Sequence, residues 1–124
     1  QRSTIQDICR TCEFITLHLP LNEQTNNIIG RNELALMKRT AILINTSRGG
    51  IIDEYALLDA LTARRIRGAG VDTFCSEPPV EAQWYLLDNL VMGNHAGAAT
   101  VGAAETMSLM AAQNILRDLM KSQR

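Results

Sequence analysis

The chain has 124 residues, enough for one domain with a single hydrophobic core. Its formal net charge is −1 and its basic residues are scattered, which argues against a nucleic-acid partner. No apolar run approaches the roughly 20 residues that cross a bilayer, and no signal-peptide pattern opens the chain, so we expect a cytoplasmic protein with no membrane partner. The three cysteines are an odd number and predict reduced thiols rather than a disulfide framework.

The first third of the chain predicts a short helix, a strand and a helical turn. Ser3-Thr4-Ile5-Gln6 fits a capping box for a helix that ends near Cys12. A β-rich run over residues 14–19 stops at Pro20, which predicts a strand. After a polar loop, Asn32 is suited to cap a helical turn.

The middle of the chain predicts two strands separated by a helix. The strands cover residues 40–45 and 66–71. The helix covers residues 53–63, with acids in its first turn, arginines at its end and apolar residues at helical spacing: Tyr55, Leu57, Leu58 and Leu61.

The last third predicts an irregular segment over residues 72–88, a short strand over residues 89–92 and a long helix over residues 100–120. One face of that helix is apolar, with Ala104, Met107, Ala111, Ile115 and Leu119. Strands that alternate with helices, several of them apolar throughout, predict an α/β fold whose parallel sheet is covered on both faces.

Polar and charged residues follow each of the four predicted strands. They are His18-Leu19-Pro20, Thr46-Ser47-Arg48, Asp72 and His95, and Glu77 lies in the loop after Asp72. Open parallel sheets bind ligands beyond the carboxyl ends of their strands, so we expect a site there. Arg48 stands before a flexible Gly49-Gly50 bend and is suited to bind a carboxylate through its planar fork of donors.

Arginine, glutamate and histidine together suit redox chemistry on a 2-oxo or 2-hydroxy acid. A carboxylate stabilises the protonated form of a neighbouring histidine, which can then exchange a proton with a substrate oxygen. The hydride that moves with this proton requires a cofactor, because no side chain can supply it.

Each of these residues also has a simpler interpretation. Arg48 fits a surface arginine near a helix start, His95 a structural histidine, Glu77 a solvated loop acid and Asp72 the cap of a turn. His18 is expected to contribute only its backbone.

Two further patterns are open to a functional and to a structural interpretation. Cys9 and Cys12 form a C-x-x-C, which fits a redox pair, half a zinc site or two packed thiols on a helix. We expect packed thiols and no metal, because no second pair is present. Ser47-Arg48-Gly49-Gly50 also fits an anion-binding bend at a helix start.

Five segments, taken in order, resemble the D-isomer-specific 2-hydroxyacid dehydrogenases, among which the phosphoglycerate dehydrogenases are the most similar members. The segments are Leu17-His18-Leu19-Pro20-Leu21, Met37 through Gly50 with Asp53-Glu54, Gly68-Ala69-Gly70-Val71-Asp72, Glu77-Pro78 and His95-Ala96-Gly97-Ala98. The chain departs from the family at Asn94, where a proline usually precedes the histidine, and it has no Gly-x-Gly-x-x-Gly fingerprint.

The resemblance implies a Rossmann-like parallel sheet with flanking helices, of which only the second half of the NAD-binding domain is present, over residues 1–99. Residues 100–124 are then a carboxyl-terminal helix that leads back towards an absent substrate domain. Because the chain begins at Gln1 and lacks the glycine fingerprint, we expect part of a longer protein that is inactive and binds NAD weakly by itself.

The resemblance also implies a role for each site residue. Arg48 binds the substrate carboxylate and carbonyl, His95 is the acid/base, and Glu77 tunes that histidine. Asp72 holds the nicotinamide carboxamide. The remaining cofactor contacts implied are Leu19 and Pro20 on the adenine side, Thr46, Ser47 and Arg48 on the nicotinamide side, and His95, Gly97 and Ala98 beside Asp72.

The activity implied is NAD-dependent oxidoreduction of a D-2-hydroxy acid, such as a 3-phosphoglycerate-like compound, in a homodimeric parent protein. The alternative from another class is a non-enzymatic regulator of the same fold, similar to the NAD-responsive transcriptional corepressors. A third interpretation is a segment that serves mainly in dimerisation.

Overall fold

The computed structural model describes residues 3–122 and divides into two compact units, whose described residues are 3–94 and 95–122. The first unit contains four parallel strands in the spatial order β1-β2-β3-β4: β1 (Phe14–Leu17), β2 (Ile42–Asn45), β3 (Gly68–Val71) and β4 (Leu90–Met92). It also contains α1 (Ile5–Thr11), α2 (Arg31–Leu36), α3 (Glu54–Thr62) and a 3-10 helix at Ala82–Leu86. The second unit contains α4 (Val101–Ser122). The predicted α/β fold with a parallel sheet is confirmed.

The carboxyl ends of the four strands are level with one another. Leu17 pairs with Asn45, Asn45 with Val71, and Val71 with Met92. The residues that follow the strands therefore succeed one another along a single edge. We call this the carboxyl edge and define it by His18, Thr46, Asp72 and Gly93.

The hydrophobic core lies on one face of the sheet. Side chains alternate across a strand, so Ile15, Leu43 and Val71 point towards the helices and are buried. Helices α1, α2 and α3 supply Cys9, Leu34, Leu57 and Leu61 to the same cluster.

The opposite face of the sheet is exposed to solvent at its two outer strands, β1 and β4. Phe14 on β1 is 70% exposed and Val91 on β4 is 74% exposed. The expectation that helices cover both faces is therefore wrong for these two strands. The strand sequences are apolar on both faces, but the described residues bury only one of them there.

The helix boundaries confirm the periodic pattern and correct two of the caps. Thr4, not Ser3, caps α1, since its Oγ1 accepts a hydrogen bond of 3.1 Å from Asp7 N. Gly30 precedes α2 and donates its N–H to Glu33 Oε2 at 3.2 Å, whereas Asn32 lies inside the helix. Asp53, expected as the first residue of its helix, is instead the cap of α3, since its Oδ1 accepts from Ala56 N at 3.1 Å.

Two other expectations differ from the structure. Tyr55, placed on the apolar face of the third helix, is 69% exposed. The segment over residues 72–88, expected to be irregular, contains the 3-10 helix. The long helix α4 is present as expected, and Met107, Ile115 and Leu119 on its apolar face are exposed. Within the described residues 3–122, no helix combines the length and apolar character needed to cross a membrane.

Candidate active site

The turn after β2 is shaped by the last residue of the strand. Asn45 occupies a core-facing position and is only 2% exposed, although its side chain is polar. Its Nδ2 donates to Arg48 O at 2.9 Å, and its Oδ1 accepts from Ser47 N at 3.1 Å and from Ser47 Oγ at 2.8 Å. These bonds satisfy a buried amide and fix the turn Thr46-Ser47-Arg48 at the carboxyl edge.

Arg48 leaves this turn on the solvent side. Its side chain is exposed, and one guanidinium nitrogen, Nη1, donates to Ser47 O at 2.6 Å. Thr46 is also exposed, while Ser47 is half-buried. A guanidinium held against its own turn presents its remaining donors beyond the strand end, which suits the binding of an anionic group.

The double-glycine bend packs directly on the loop that follows β3. A methyl group at Gly49 would overlap the carbonyl group of Phe74, so only glycine allows this approach. Gly50 has a positive φ of 80°, which glycine adopts without strain. The bend thus fixes the turn after β2 against the loop after β3.

Asp72 stands at the end of β3, half-buried between two neighbouring strands. Its backbone N–H donates to Asn45 O at 2.9 Å. On its other side Gly93 N donates to Val71 O at 2.8 Å, and a methyl group at Gly93 would overlap the Asp72 carboxylate. Both neighbours therefore restrict where the carboxylate can lie.

A cleft of about 410 Å³ opens beside Asp72. This volume lies in the range of pockets that hold small molecules. Glu77 lines the cleft and is positioned by its own loop, since Oε1 accepts from Phe74 N at 3.0 Å. The lining combines these two acids with largely apolar walls: Phe74, Pro78, Pro79, Tyr85, Met92, Gly93 and Asn94. An amide-bearing aromatic ring fits this chemistry, because a carboxylate accepts from an amide N–H while apolar walls cover the ring.

Leu19 and Pro20 follow β1 and are exposed. Thr25 Oγ1 donates to Pro20 O at 2.6 Å and so holds the loop that leaves the carboxyl edge. His18 is exposed, with one ring nitrogen 2.9 Å from Thr16 Oγ1.

His95, Gly97 and Ala98 belong to the second unit. His95 has a positive φ of 53°, an unusual conformation for a residue other than glycine. Such residues occur at functional sites more often than elsewhere. The structure thus brings Thr46, Ser47, Arg48 and Asp72 to adjacent strand ends and places Glu77 in the cleft beside Asp72, whereas the pairing of Glu77 with His95 stays a prediction.

A thiol in the same loop is kept protonated by its surroundings. Partial burial and, to a smaller extent, a hydrogen bond with Glu54 raise the pKa of Cys75 to about 11. Glu54 Oε1 also accepts from Cys75 N at 2.6 Å. This cysteine is therefore a poor nucleophile at neutral pH. Among residues 3–122, no group of side chains has the composition and spacing to hold a metal ion.

Two residues that shape the site, Asn45 and Gly93, were not predicted from the sequence; the Gly49-Gly50 bend was expected, but its packing on the loop after β3 was not. The Asn-x-Ser order at residues 45–47 is a signal for a side-chain-supported turn and could have identified the first. Gly93, and the close approach of Gly49 to Phe74, have no comparable local signal, because the neighbouring groups lie in other parts of the chain.

The sequence model of one family, described as the D-isomer specific 2-hydroxyacid dehydrogenase, NAD binding domain, matches residues 1–97. A D-3-phosphoglycerate dehydrogenase from Methanocaldococcus jannaschii is 44% identical over 115 residues, which are 93% of this chain and 22% of the relative. A glyoxylate reductase from Thermococcus litoralis is 43% identical over 90% of this chain and 34% of its own length.

A solved structure with similar geometry is an acyclic imino acid reductase in complex with NADPH and D-Arg. It superposes with a TM-score of 0.85 at 34% identity and covers 98% of this chain and 39% of that one. The chain therefore spans between about a fifth and two fifths of these proteins.

Proposed function

The chain belongs to the family of D-isomer specific 2-hydroxyacid dehydrogenases, within the NAD-binding domain, and from this premise we propose that it forms the nicotinamide-facing half of an NAD-dependent oxidoreductase. The substrate is a D-2-hydroxy acid or the corresponding 2-oxo acid. The observation that supports this most is the level alignment of the strand ends, which places the arginine turn, Asp72 and the Glu77 cleft side by side.

Arg48 binds the substrate carboxylate in this proposal. Its guanidinium offers paired N–H donors that match a carboxylate, and the same donors polarise the adjacent carbonyl oxygen. The Asn45 hydrogen bonds fix the backbone from which Arg48 extends. A fixed cation requires less reorganisation when negative charge develops on the substrate oxygen.

Asp72 accepts a hydrogen bond from the carboxamide of the nicotinamide, and the apolar cleft walls exclude water from the ring. NAD, when bound, supplies the hydride acceptor. Thr46 and Ser47 lie on the nicotinamide side, Leu19 and Pro20 on the adenine side, and Gly97 and Ala98 contribute backbone groups. His95 removes the hydroxyl proton, and the carboxylate of Glu77 stabilises the imidazolium that results.

A chimera provides the test. The matching segment of the Thermococcus litoralis glyoxylate reductase is replaced by this chain, and the NADH-dependent reduction of glyoxylate is measured. Arg48→Gln is expected to lower kcat/KM at least about 100-fold, because one oxyanion-stabilising group is lost. His95→Gln is expected to lower kcat about 100-fold or more, because proton transfer is lost.

Arg39→Gln is the matched control. Arg39 is also exposed and lies next to β2, but at the amino end of the strand and so on the opposite edge of the sheet. Its replacement should leave turnover unchanged. A folded chimera that binds NADH but reduces no 2-oxo acid would contradict the proposal and favour the NAD-responsive regulator.

A homodimeric parent protein is part of the same proposal. The exposed apolar side chains along one face of α4, Met107, Ile115 and Leu119, support it, since an exposed apolar face favours association. Sedimentation of the chain with and without residues 100–124 tests it. Loss of self-association on truncation is expected, and monomers at every concentration in the intact chain would contradict it.

A further inference from the structure

Two buried polar side chains near the carboxyl edge have no hydrogen-bond partner among the described residues. Thr73 is 1% exposed and Trp84 is 2% exposed, and the atoms concerned are Thr73 Oγ1 and Trp84 Nε1. Buried polar atoms in folded proteins are nearly always hydrogen-bonded, to protein groups or to ordered water, because leaving them unpaired costs free energy. Both atoms therefore require a partner.

The same two residues line one small cavity. Its volume is about 10 Å³, and it lies beneath the bend after β2, since Asn45, Gly49 and Gly50 also line it. A cavity needs about 10–15 Å³ by this measure to hold one water molecule. Larger ligands are excluded by volume.

The chemistry of the two atoms selects the occupant. An indole N–H is a donor only, so its partner must accept. A hydroxyl both donates and accepts, so it can bond to the same partner in either direction. An ammonium or metal cation cannot accept from the indole, whereas a water molecule satisfies both groups at once.

We propose that a single water molecule is bound in this cavity, where it accepts a hydrogen bond from Trp84 Nε1 and shares a second with Thr73 Oγ1. Thr73 directly follows Asp72, and Trp84 belongs to the 3-10 helix further along the same connection, between β3 and β4. The water thus links the end of β3 to that helix, directly under the bend that follows Arg48. It is a structural component of the carboxyl edge, and the proposal does not depend on which reaction occurs there.

The chain contains one tryptophan, so it gives one indole N–H signal. In the nitrogen-15-labelled full chain, we expect a cross-peak between Trp84 Hε1 and water in the NOESY spectrum and a peak of opposite sign in the ROESY spectrum. That pair of signs identifies a water molecule that stays bound much longer than surface water does. Rapidly exchanging surface water would not give this pair of signs. If the Trp84 Hε1 cross-peaks with opposite signs are absent, the proposal is overturned.

Thr73→Val removes the hydroxyl while it keeps the shape of the side chain, and Thr73→Ser keeps the hydroxyl. Oxygen-17 relaxation dispersion counts long-lived water molecules without interference from exchanging hydroxyl protons. We expect Thr73→Val to lose one such molecule and Thr73→Ser to retain it. Equal counts in the wild type and Thr73→Val would overturn the assignment of Thr73.

Trp84→Phe is a second, independent variant, because it removes the indole donor and leaves Thr73 in place. It is expected to lose the same water molecule. If Thr73→Val does not fold, the wild-type cross-peak and the Trp84→Phe count still decide the proposal. A count that is unchanged in Trp84→Phe would overturn it.

Discussion

Replacing Asn45 by alanine should destabilise the chain, because Asn45 is a buried polar residue whose side chain holds the turn after β2. The substitution removes three hydrogen bonds, one to Arg48 O and two from Ser47. Each contributes about 0.5–1.5 kcal/mol net, and the cost is larger where water cannot replace the lost group. Since Asn45 is 2% exposed, we expect a loss of about 3 kcal/mol in the free energy of unfolding. At about 4 °C per kcal/mol for a domain of this size, Tm falls by roughly 12 °C.

Urea unfolding, followed by the fluorescence of the single tryptophan, measures this loss. Asn22→Ala is the matched control, because Asn22 Oδ1 likewise accepts two hydrogen bonds from the turn that follows it, from Gln24 N and Thr25 N, but it lies in an exposed turn. Water replaces those bonds, so a loss below about 1 kcal/mol is expected. If Asn45→Ala cost no more than Asn22→Ala, burial would not be the reason that this turn is rigid, and the argument would fail.

Three further predictions concern packing, titration and cofactor binding. Gly49→Ala should lower the free energy of unfolding by about 2 kcal/mol, because the added methyl group overlaps the Phe74 carbonyl. Gly102→Ala in α4 is the control, since its methyl group meets no atom within 4 Å and should be neutral or stabilising. Thermal melts compare the two variants. Glu54→Gln should lower the raised pKa of Cys75 and accelerate its alkylation at pH 8.5, measured by peptide mass spectrometry; an unchanged rate would exclude Glu54 as a cause. Because the folded-state pKa of this thiol lies above 9.0, its contribution to stability is present below pH 9 and is lost as the pH rises towards 11. The isolated chain should give no fluorescence sign of tight NADH binding, since it lacks the glycine fingerprint that holds a pyrophosphate, and tight binding would refute this.

The strands and helices were predictable because the spacing of apolar residues favours one type of element and residues such as Pro20 and the glycines end it, and both effects act over a few neighbouring residues. Boundaries differed by a few residues, as at β1, which ends at Leu17 rather than at residue 19. The cap of α1 was misplaced by one residue, since Ser3 and Thr4 have equally suitable side chains and only the backbone decides between them.

The open sheet face was not predictable from these 124 residues. A run such as Ile42-Leu43-Ile44 is apolar on both sides whether the second side is covered by this chain or by another segment. The composition of a strand shows which side chains could be buried. Phe14 and Val91 are apolar but exposed, so the described residues do not cover every such side chain.

The candidate site divides in the same way. The locations of Arg48, Asp72 and Glu77 were predictable because charged residues after predicted strands have a known location in a parallel sheet, and their roles stay predictions. The Gly49-Gly50 bend was also expected. The groups that exclude a side chain at Gly49 and at Gly93, the Phe74 carbonyl and the Asp72 carboxylate, were not, because they are more than 20 residues away along the chain.

Asn45 connects the core to the carboxyl edge. Residues of β2 alternate between the two faces, so Leu43 and Asn45 both point into the core and Thr46 leaves it. An apolar residue at position 45 would pack in the core, but it would leave the Ser47 amide and the Arg48 carbonyl without the hydrogen bonds that Asn45 provides. Because a buried amide cannot turn to solvent, it must bond to the backbone that follows it. The burial that stabilises the strand is therefore also what fixes the position from which Arg48 extends.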